Sequence, residues 1–502
     1  MNRLGHITIA VLVLAAVAGC AVSPPQSSAV ATAAVSEGGQ QCLEFFRRLD
    51  EAVARAGVSD GMAARVEGFP QLRVNRFLAS YARQQMNDAR FADWMNRLLE
   101  LGEEGYTVEL ANLSAAEAAQ LQRGLQGLPR ELKNAVEGVK ICGERLDAAI
   151  FSSSENRENS RAAARVPDEY ATWQRVAGLY WLTRIPFAAG VRRWQKEARA
   201  MFEVPLSQLP VRGRLLSYEP PRTETVQVAA MIRNARISAL GIPEFNGAEL
   251  DALFAAYAPA FVIDTASDAD RPGALGWQDG ALPAVDIARP EVYRRVSYTR
   301  YEGHALLQLN YSIWFPERPL ASEWDLLGGY LDGVTWRVTL TPGGEPWVYD
   351  SMHHCGCYHQ FFPTARAALR TRPDTLDETA FVPQTLPAVT PGERLSLRLD
   401  SGTHYLQRII VEREAGSGGM QYRFADDDNL RSQTMRNGAR KSVFRQDGIV
   451  SGTERGERYW FWPMGVPEPG AMRQWGRHAT AFVGRRHFDA PDLLEKYFEM
   501  KP

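Results

Sequence analysis

Apolar residues recur at three- and four-residue intervals through the first third of the chain. In CLEFFRRLDEAVARAG, Leu43, Phe46, Leu49 and Val53 fall on one helical face, and Gly57 ends the run. FLASYARQQMNDARFADWMNRLLELG continues the period. LSAAEAAQLQRGLQGL opens with Ser114-x-x-Glu117, a capping-box pattern, and ELKNAVEGVKICGERLDAAIF closes the region. Residues 41–151 are therefore expected to form an all-helical domain, with GFPQLRVNRFLAS (68–80) as a turn and the start of an amphipathic helix. SSSENRENSR breaks the pattern, and residues 152–165 read as a linker. Residues 166–289 read as a mixed helical connector, in which a long helical stretch meets Pro186. From residue 290 the period becomes two. RRVSYTRYEG, ALLQLNYSIWF, GVTWRVTLTPGGEPWVYD and RLSLRLDSGTHYLQRIIVERE alternate apolar and polar positions between Gly/Pro turns, and TPGGEPW is a hairpin signal. Residues 290–502 are expected to form a β-rich domain, sandwich or barrel-like, and the whole chain an α+β fold.

Composition narrows the class. A hydrophobic content of 45%, with 12 Trp, 17 Tyr and 21 Phe, is that of a core-rich globular chain. A net charge of -2 offers no electrostatic footing for nucleic acid or for an anionic lipid surface.

The start of the chain supplies an address. Residues 7–18 are an apolar run, shorter than the roughly 20 residues a spanning helix needs and suited to a signal-peptide core. Val17-Ala18-Gly19-Cys20 follows, which resembles the lipobox of bacterial lipoproteins. The resemblance implies removal of residues 1–19 and lipidation of Cys20 with diacylglycerol and a further acyl chain such as palmitate. Ala21 in place of Asp implies sorting to the outer membrane. Residues 20–40, rich in Ser, Ala, Pro and Gly, then read as a flexible tether. The expected setting is the outer membrane, facing the periplasm, with the membrane as partner through the lipid and an envelope protein as a second candidate partner.

That setting is oxidising. Cys42 and Cys142, on the first and last helical segments, are expected to pair. Closing so large a loop stabilises by about 4–5 kcal/mol in the chain-entropy picture.

Candidate chemistry gathers in YDSMHHCGCYHQFF (349–362), which holds three of the eight histidines and two of the five cysteines. Thiolate and imidazole are ligands that zinc and copper prefer. On a straight strand, His353, Cys355, Cys357 and His359 would spread over roughly 20 Å. The chain must fold back to bring them together, and Gly356 is the residue type that permits it. The candidate ligands are Cys355, Cys357 and His359, with His353 or His354, and with His304, His404, His478 and His487 as a further pool. Two other readings stay open: a Cys355–Cys357 disulfide in a compact turn, structural or redox-active, and buried unreactive thiols with satisfied histidines. Asp350 is placed to orient an imidazole or to cap a turn. Tyr349, Tyr358, Phe361 and Phe362 read as core packing. MRQWGRHATAFVGRRHFDAPD (472–492) reads as a solvated basic edge, with carboxylate contact as the alternative, and ADDDNL (425–430) as a solvated loop. GVSDG fits G-x-S-x-G but lacks the preceding strand of a nucleophile elbow.

The expectation is an outer-membrane lipoprotein with a His/Cys transition-metal site in its β-rich domain, leaving open whether it is an enzyme and of what reaction. The alternatives are a non-catalytic envelope interaction or assembly protein, and a thiol-redox protein using Cys355 and Cys357.

Overall fold

The computed structural model describes residues 36–127, 134–221, 228–278, 281–373, 375–389, 392–413 and 418–501. The lipobox, Cys20 and most of the tether lie outside these residues.

Helix α1 (Glu37–Ala56) is capped by the Ser36 side chain and ends at left-handed Gly57; it buries Cys42, Phe45, Phe46, Leu49 and Val53. Helices α2 (Asp88–Ala111), α3 (Ala115–Gly124, with the Ser114/Glu117 capping box) and α4 (Ala135–Phe151) pack around it. Cys42 and Cys142 form a disulfide with Cα atoms 5.1 Å apart.

Two expectations change here. The N-terminal region is not all-helical, because strands β1 (Ala64–Val66) and β2 (Phe69–Val74) form a hairpin within it. Gly68, at φ +80°, makes the turn. Strand β2 lies so close to α2 that a Cβ at Gly102 would stand 1.9 Å from the Gln71 carbonyl oxygen. Burial of Leu72 and Val74 in this cleft, with Arg73 ion-paired to Glu109 at 2.7 Å, outweighs the local helical period. The expected linker contains helix α5 (Ser154–Ala163), capped by Ser153. Its polar sequence still finds partners: Arg157 covers the Phe91 and Phe151 rings, and Arg161 donates to the Ala82 carbonyl.

Helices α6 (Thr172–Ala177) and α7 (Tyr180–Glu203) follow, the latter running through Pro186. Strands β3 (Arg214–Glu219) and β4 (Ala260–Thr265) come from the connector. Strands β5 (Glu291–Tyr301), β6 (His304–Arg318), β7 (Gly329–Leu340), β8 (Pro346–His353) and β9 (Gln360–Pro363) run as an antiparallel meander. Strands β10 (Glu393–Leu399), β11 (Leu406–Arg413), β12 (Met420–Gln421) and β13 (Arg423–Asp426) complete two open sheets, ordered β9-β8-β7-β6-β5-β13 and β11-β10-β4-β3-β12. The connector thus shares a sheet with the C-terminal region, through the parallel pairing of β4 with β10. Inner residues of both sheets, among them Phe261, Tyr311, Trp336 and Leu397, belong to one core. The architecture is α+β, without a closed barrel among the described residues.

The acidic run 425–430 is not simply solvated, since Asp427 and Asp428 pair with Arg295. Buried Arg431 then reaches the N-terminal helices, bonding Asp60 at 2.7 Å and ion-pairing with Glu104. Its carbonyl accepts from the Asn112 amide at 2.9 Å.

One buried charge works against this packing. Asp147 of α4 has no hydrogen bond at Oδ1, and burial pushes its carboxyl up to about 6. A raised carboxyl costs stability above its folded pKa, and the cost disappears below its unfolded value of about 4. Asp147→Asn is therefore expected to stabilise the protein by about 1–3 kcal/mol at pH 8 and by nothing measurable below about pH 4. Denaturant titrations at both pH values check this.

Candidate functional site

The pleat of β7 and β8 sorts their polar residues onto two faces. Val334 pairs with His353 and Arg337 with Asp350, so these two pairs point to opposite sides of the sheet. On the core side, Asp332 continues the stripe of Val334, Trp336 and Val338 and meets His353. On the other side, Asp350 meets Arg337 and His359.

On the core side four groups form a chain. The Asp332 carboxylate contacts His404 Nδ1 at 2.8 Å and His353 Nδ1 at 3.4 Å. His404 Nε2 lies 3.5 Å from Asp270, whose carboxylate also accepts from the Gly402 amide at 2.6 Å and the Ser401 hydroxyl at 3.0 Å. Burial alone would raise the Asp332 carboxyl, but His353 and His404 hold it well below its usual range. Burial would depress His404, but Asp270 and Asp332 raise it above its usual value. Burial lowers His353, against the pull of Asp332. The His404 ring stacks on Phe315 at 3.8 Å.

Three non-glycine residues beside these groups adopt left-handed backbone: Leu331 (φ +53°), Tyr358 (φ +58°) and His404 (φ +54°). Such conformations cost about 1–3 kcal/mol each and concentrate at functional sites.

On the opposite face, Arg337 grips Asp350 with two bonds of 2.8 and 2.5 Å, donates to the Phe488 carbonyl at 2.7 Å and lies 3.7 Å over the Phe488 ring. His359 Nε2 bonds Asp350 at 2.7 Å. Burial drives His359 down to about 4, so it is a neutral imidazole on a carboxylate already balanced by arginine.

Between these sets the chain folds back as Gly356 allows. The Gly356 amide donates to the His353 carbonyl at 2.8 Å, and the His353 amide to the Cys357 carbonyl at 3.0 Å. Gly356 has φ +89°, and a Cβ there would stand 2.4 Å from the Ala479 carbonyl oxygen. Cys355 and Cys357 are both free, with the Cys357 amide 3.3 Å from Cys355 Sγ. Cys355 and then burial push the Cys357 thiol well above its usual range.

This turn lines a cavity of about 460 Å³. Cys355, Cys357, Tyr358 and His359 form one side; Phe187, Val191 and Trp194 of α7 face them. Glu378, Glu457 and Arg486 supply charge. Burial pushes the Glu457 carboxyl up to about 7, against the pull of Arg455, Arg318 and Arg473. A Cβ at position 470 would stand 2.0 Å from Glu457 Oε1, so Gly470 makes room for the carboxyl. Glu378 accepts from the Phe482 and Val483 amides and is also raised by burial. A crevice of about 10 Å³, room for about one water, adjoins the cavity; Asp332, His353, Cys357 and Glu457 line it together with Arg318 and Arg455.

The other histidines of the candidate pool scatter. His304 is exposed at the β5–β6 hairpin. His487 Nε2 lies 3.2 Å from Asp168. His354 and His478 are buried with no hydrogen bond on either ring nitrogen, and His354 packs 4.0 Å from Trp314. His354 fits because residue 333 is glycine, where a Cβ would stand 2.3 Å from its Nδ1. Among the described residues, no three His, Cys, Asp or Glu side chains converge as metal ligands. The physical reason is that His353, His354 and His359 are turned toward Asp332, Trp314 and Asp350 respectively.

Asp350 does orient an imidazole, that of His359. Tyr349, Phe361 and Phe362 are core, as expected, whereas Tyr358 lines the cavity. The basic edge 472–492 is not merely solvated: Arg477 pairs with Glu169, Arg485 with Asp168, and Asp489 with Arg76. Asp270, Asp332, Glu378 and Glu457 were not legible as site residues. The one available signal was Asp332-Gly333, an acid and a glycine inside an apolar strand.

The class defined is an α+β chain with a largely apolar cavity beside a buried Asp–His–Asp–His chain. No protein-family model, curated protein or solved structure matches it.

Proposed function

We propose that the cavity binds an amphipathic small molecule and carries out acid–base chemistry on its polar end. His353 is the proton acceptor and Glu457 the group that gives and takes a proton near neutral pH. The observation that carries this reading is the shared crevice, where His353, oriented by Asp332, and Glu457 meet beside the cavity. The aromatic and aliphatic wall from α7 suits the apolar part of a ligand. We place the chain at the outer membrane as a lipid-tethered protein, on the strength of the lipobox resemblance. Among the described residues no helix is long and apolar enough to cross a membrane.

A zinc or copper ion on Cys355, Cys357 and His359 has weaker support. The Cys357 thiol is pushed well above its usual range, His359 is turned to Asp350, and Arg318 and Arg455 crowd the same crevice. Near one ion per chain after purification without chelator would restore that reading. Thiol redox rests on two free cysteines side by side and requires a disulfide that forms and breaks under mild oxidant and reductant.

The test pairs binding with turnover. Val191→Arg should abolish binding of an apolar fluorescent probe. In a screen of chromogenic esters, amides and glycosides, His353→Gln and Glu457→Gln should each reduce turnover at least about 100-fold. Glu457→Gln should also remove a pH dependence centred near 7. Turnover unaffected by both substitutions overturns the assignment.

A further inference from the structure

Helices α6 and α7 present two unlike faces. One lines the cavity with Phe187, Val191 and Trp194. The other leaves Trp173 and Trp181, each 69% exposed, standing in water with Val176, Leu182 and Ile185 also exposed. Two more segments bring exposed indoles to the same rim. Trp460, 68% exposed, adjoins Phe461, which lines the cavity and meets the Phe187 ring at 5.2 Å. Trp324, 88% exposed, sits in the loop whose Leu326 carbonyl accepts from the Glu457 amide at 3.1 Å.

Large exposed apolar groups gathered in one region mark an interaction surface. The charge around them selects its partner. Residues 172–203 contain six Lys or Arg and two Glu, a surplus of four positive charges in a chain whose net charge is -2. Indole rings favour the boundary between lipid and water. A basic helix with aromatic and aliphatic residues on one side lies in the headgroup plane of anionic bilayers.

We propose that the outer face of α6 and α7, with Trp324 and Trp460, docks on an anionic phospholipid bilayer and holds the rim of the cavity at headgroup depth. Ligands would then pass between bilayer and cavity without crossing water. The docking surface stands without the acid–base reading, because its test involves no turnover.

The full chain carrying Cys20→Ser, which removes any acyl anchor, is mixed with vesicles of pure phosphatidylcholine or with vesicles containing phosphatidylglycerol, and bound protein is measured by co-sedimentation. Binding is expected on the anionic vesicles, weakening as salt is raised. Trp173→Ser with Trp181→Ser should reduce partitioning by about tenfold or more. Arg192→Glu with Lys196→Glu should reduce it selectively on anionic vesicles. These positions are exposed, so circular dichroism and the melting temperature should not change. No binding to anionic vesicles, or binding indifferent to both pairs of substitutions, overturns the proposal. Dimerisation in analytical ultracentrifugation that the tryptophan substitutions abolish, without vesicle binding, overturns it too and assigns the face to a second copy of the chain.

Discussion

Replacing Cys42 and Cys142 with serine is expected to destabilise the N-terminal helical unit by about 4–5 kcal/mol if chain entropy governs, since the bond closes a loop of 100 residues in sequence separation. Both cysteines are fully buried, on helices α1 and α4 that pack against each other, so the serines add buried hydroxyls to the lost constraint. The measurement is chemical denaturation followed by helical circular dichroism, on the double variant and on the wild type with reductant. Both should show the same fall in midpoint. A midpoint indifferent to reductant would mean that packing of Phe45, Phe46 and Leu146 holds the two helices without the bond.

Asp350→Ala is expected to cost about 3–5 kcal/mol, because it strands the Arg337 guanidinium in the interior. Asp350→Asn keeps the shape but not the charge and should cost less. Asp350→Leu combined with Arg337→Leu should recover most of the loss, since removing both ions also removes their desolvation penalty. The pH dependence has a definite sign. Burial would raise the Asp350 carboxyl, yet Arg337 and His359 hold it below its ordinary range. Its stabilisation is therefore complete above the unfolded carboxyl value of about 4 and is lost as pH falls through the lower folded value. The gap between wild type and Asp350→Asn should narrow in strong acid; a constant gap would mean that the ion pair contributes nothing through its charge.

What could be read from the chain tracks what is local. The helices of residues 41–151 and the Ser114 capping box follow from period and spacing, whereas the Cys42–Cys142 pair, at a sequence separation of 100, is read from the oxidising setting that the lipobox resemblance implies. The meander from residue 291 to 363 follows from alternation and turn residues. Strand β2 was hidden because its partners, Gly102 and Gly105 on α2, lie some thirty residues on, and the clearance they provide is invisible in a helical window. The site was half legible. HHCGCYH marked the place, and Gly356 marked the turn. The residues that decide each histidine's role come from elsewhere: Asp332 from the neighbouring strand, His404 from the β10–β11 hairpin, Asp270 from the segment after β4, and Glu457 from a late loop. Their meeting depends on sheet register, which no short window contains.

The Arg431 seam also bears on the order in which the protein is made. Asp60, Glu104 and Asn112 emerge early in synthesis, on a unit that has its own core and its own covalent closure. Arg431 arrives hundreds of residues later, after β3 and β4 have waited for β10 to complete their sheet. The acidic socket of Asp60 and Glu104 is thus made long before the arginine that fills it, and Arg431, followed later by Asp489 on Arg76, ties the two halves of the molecule together.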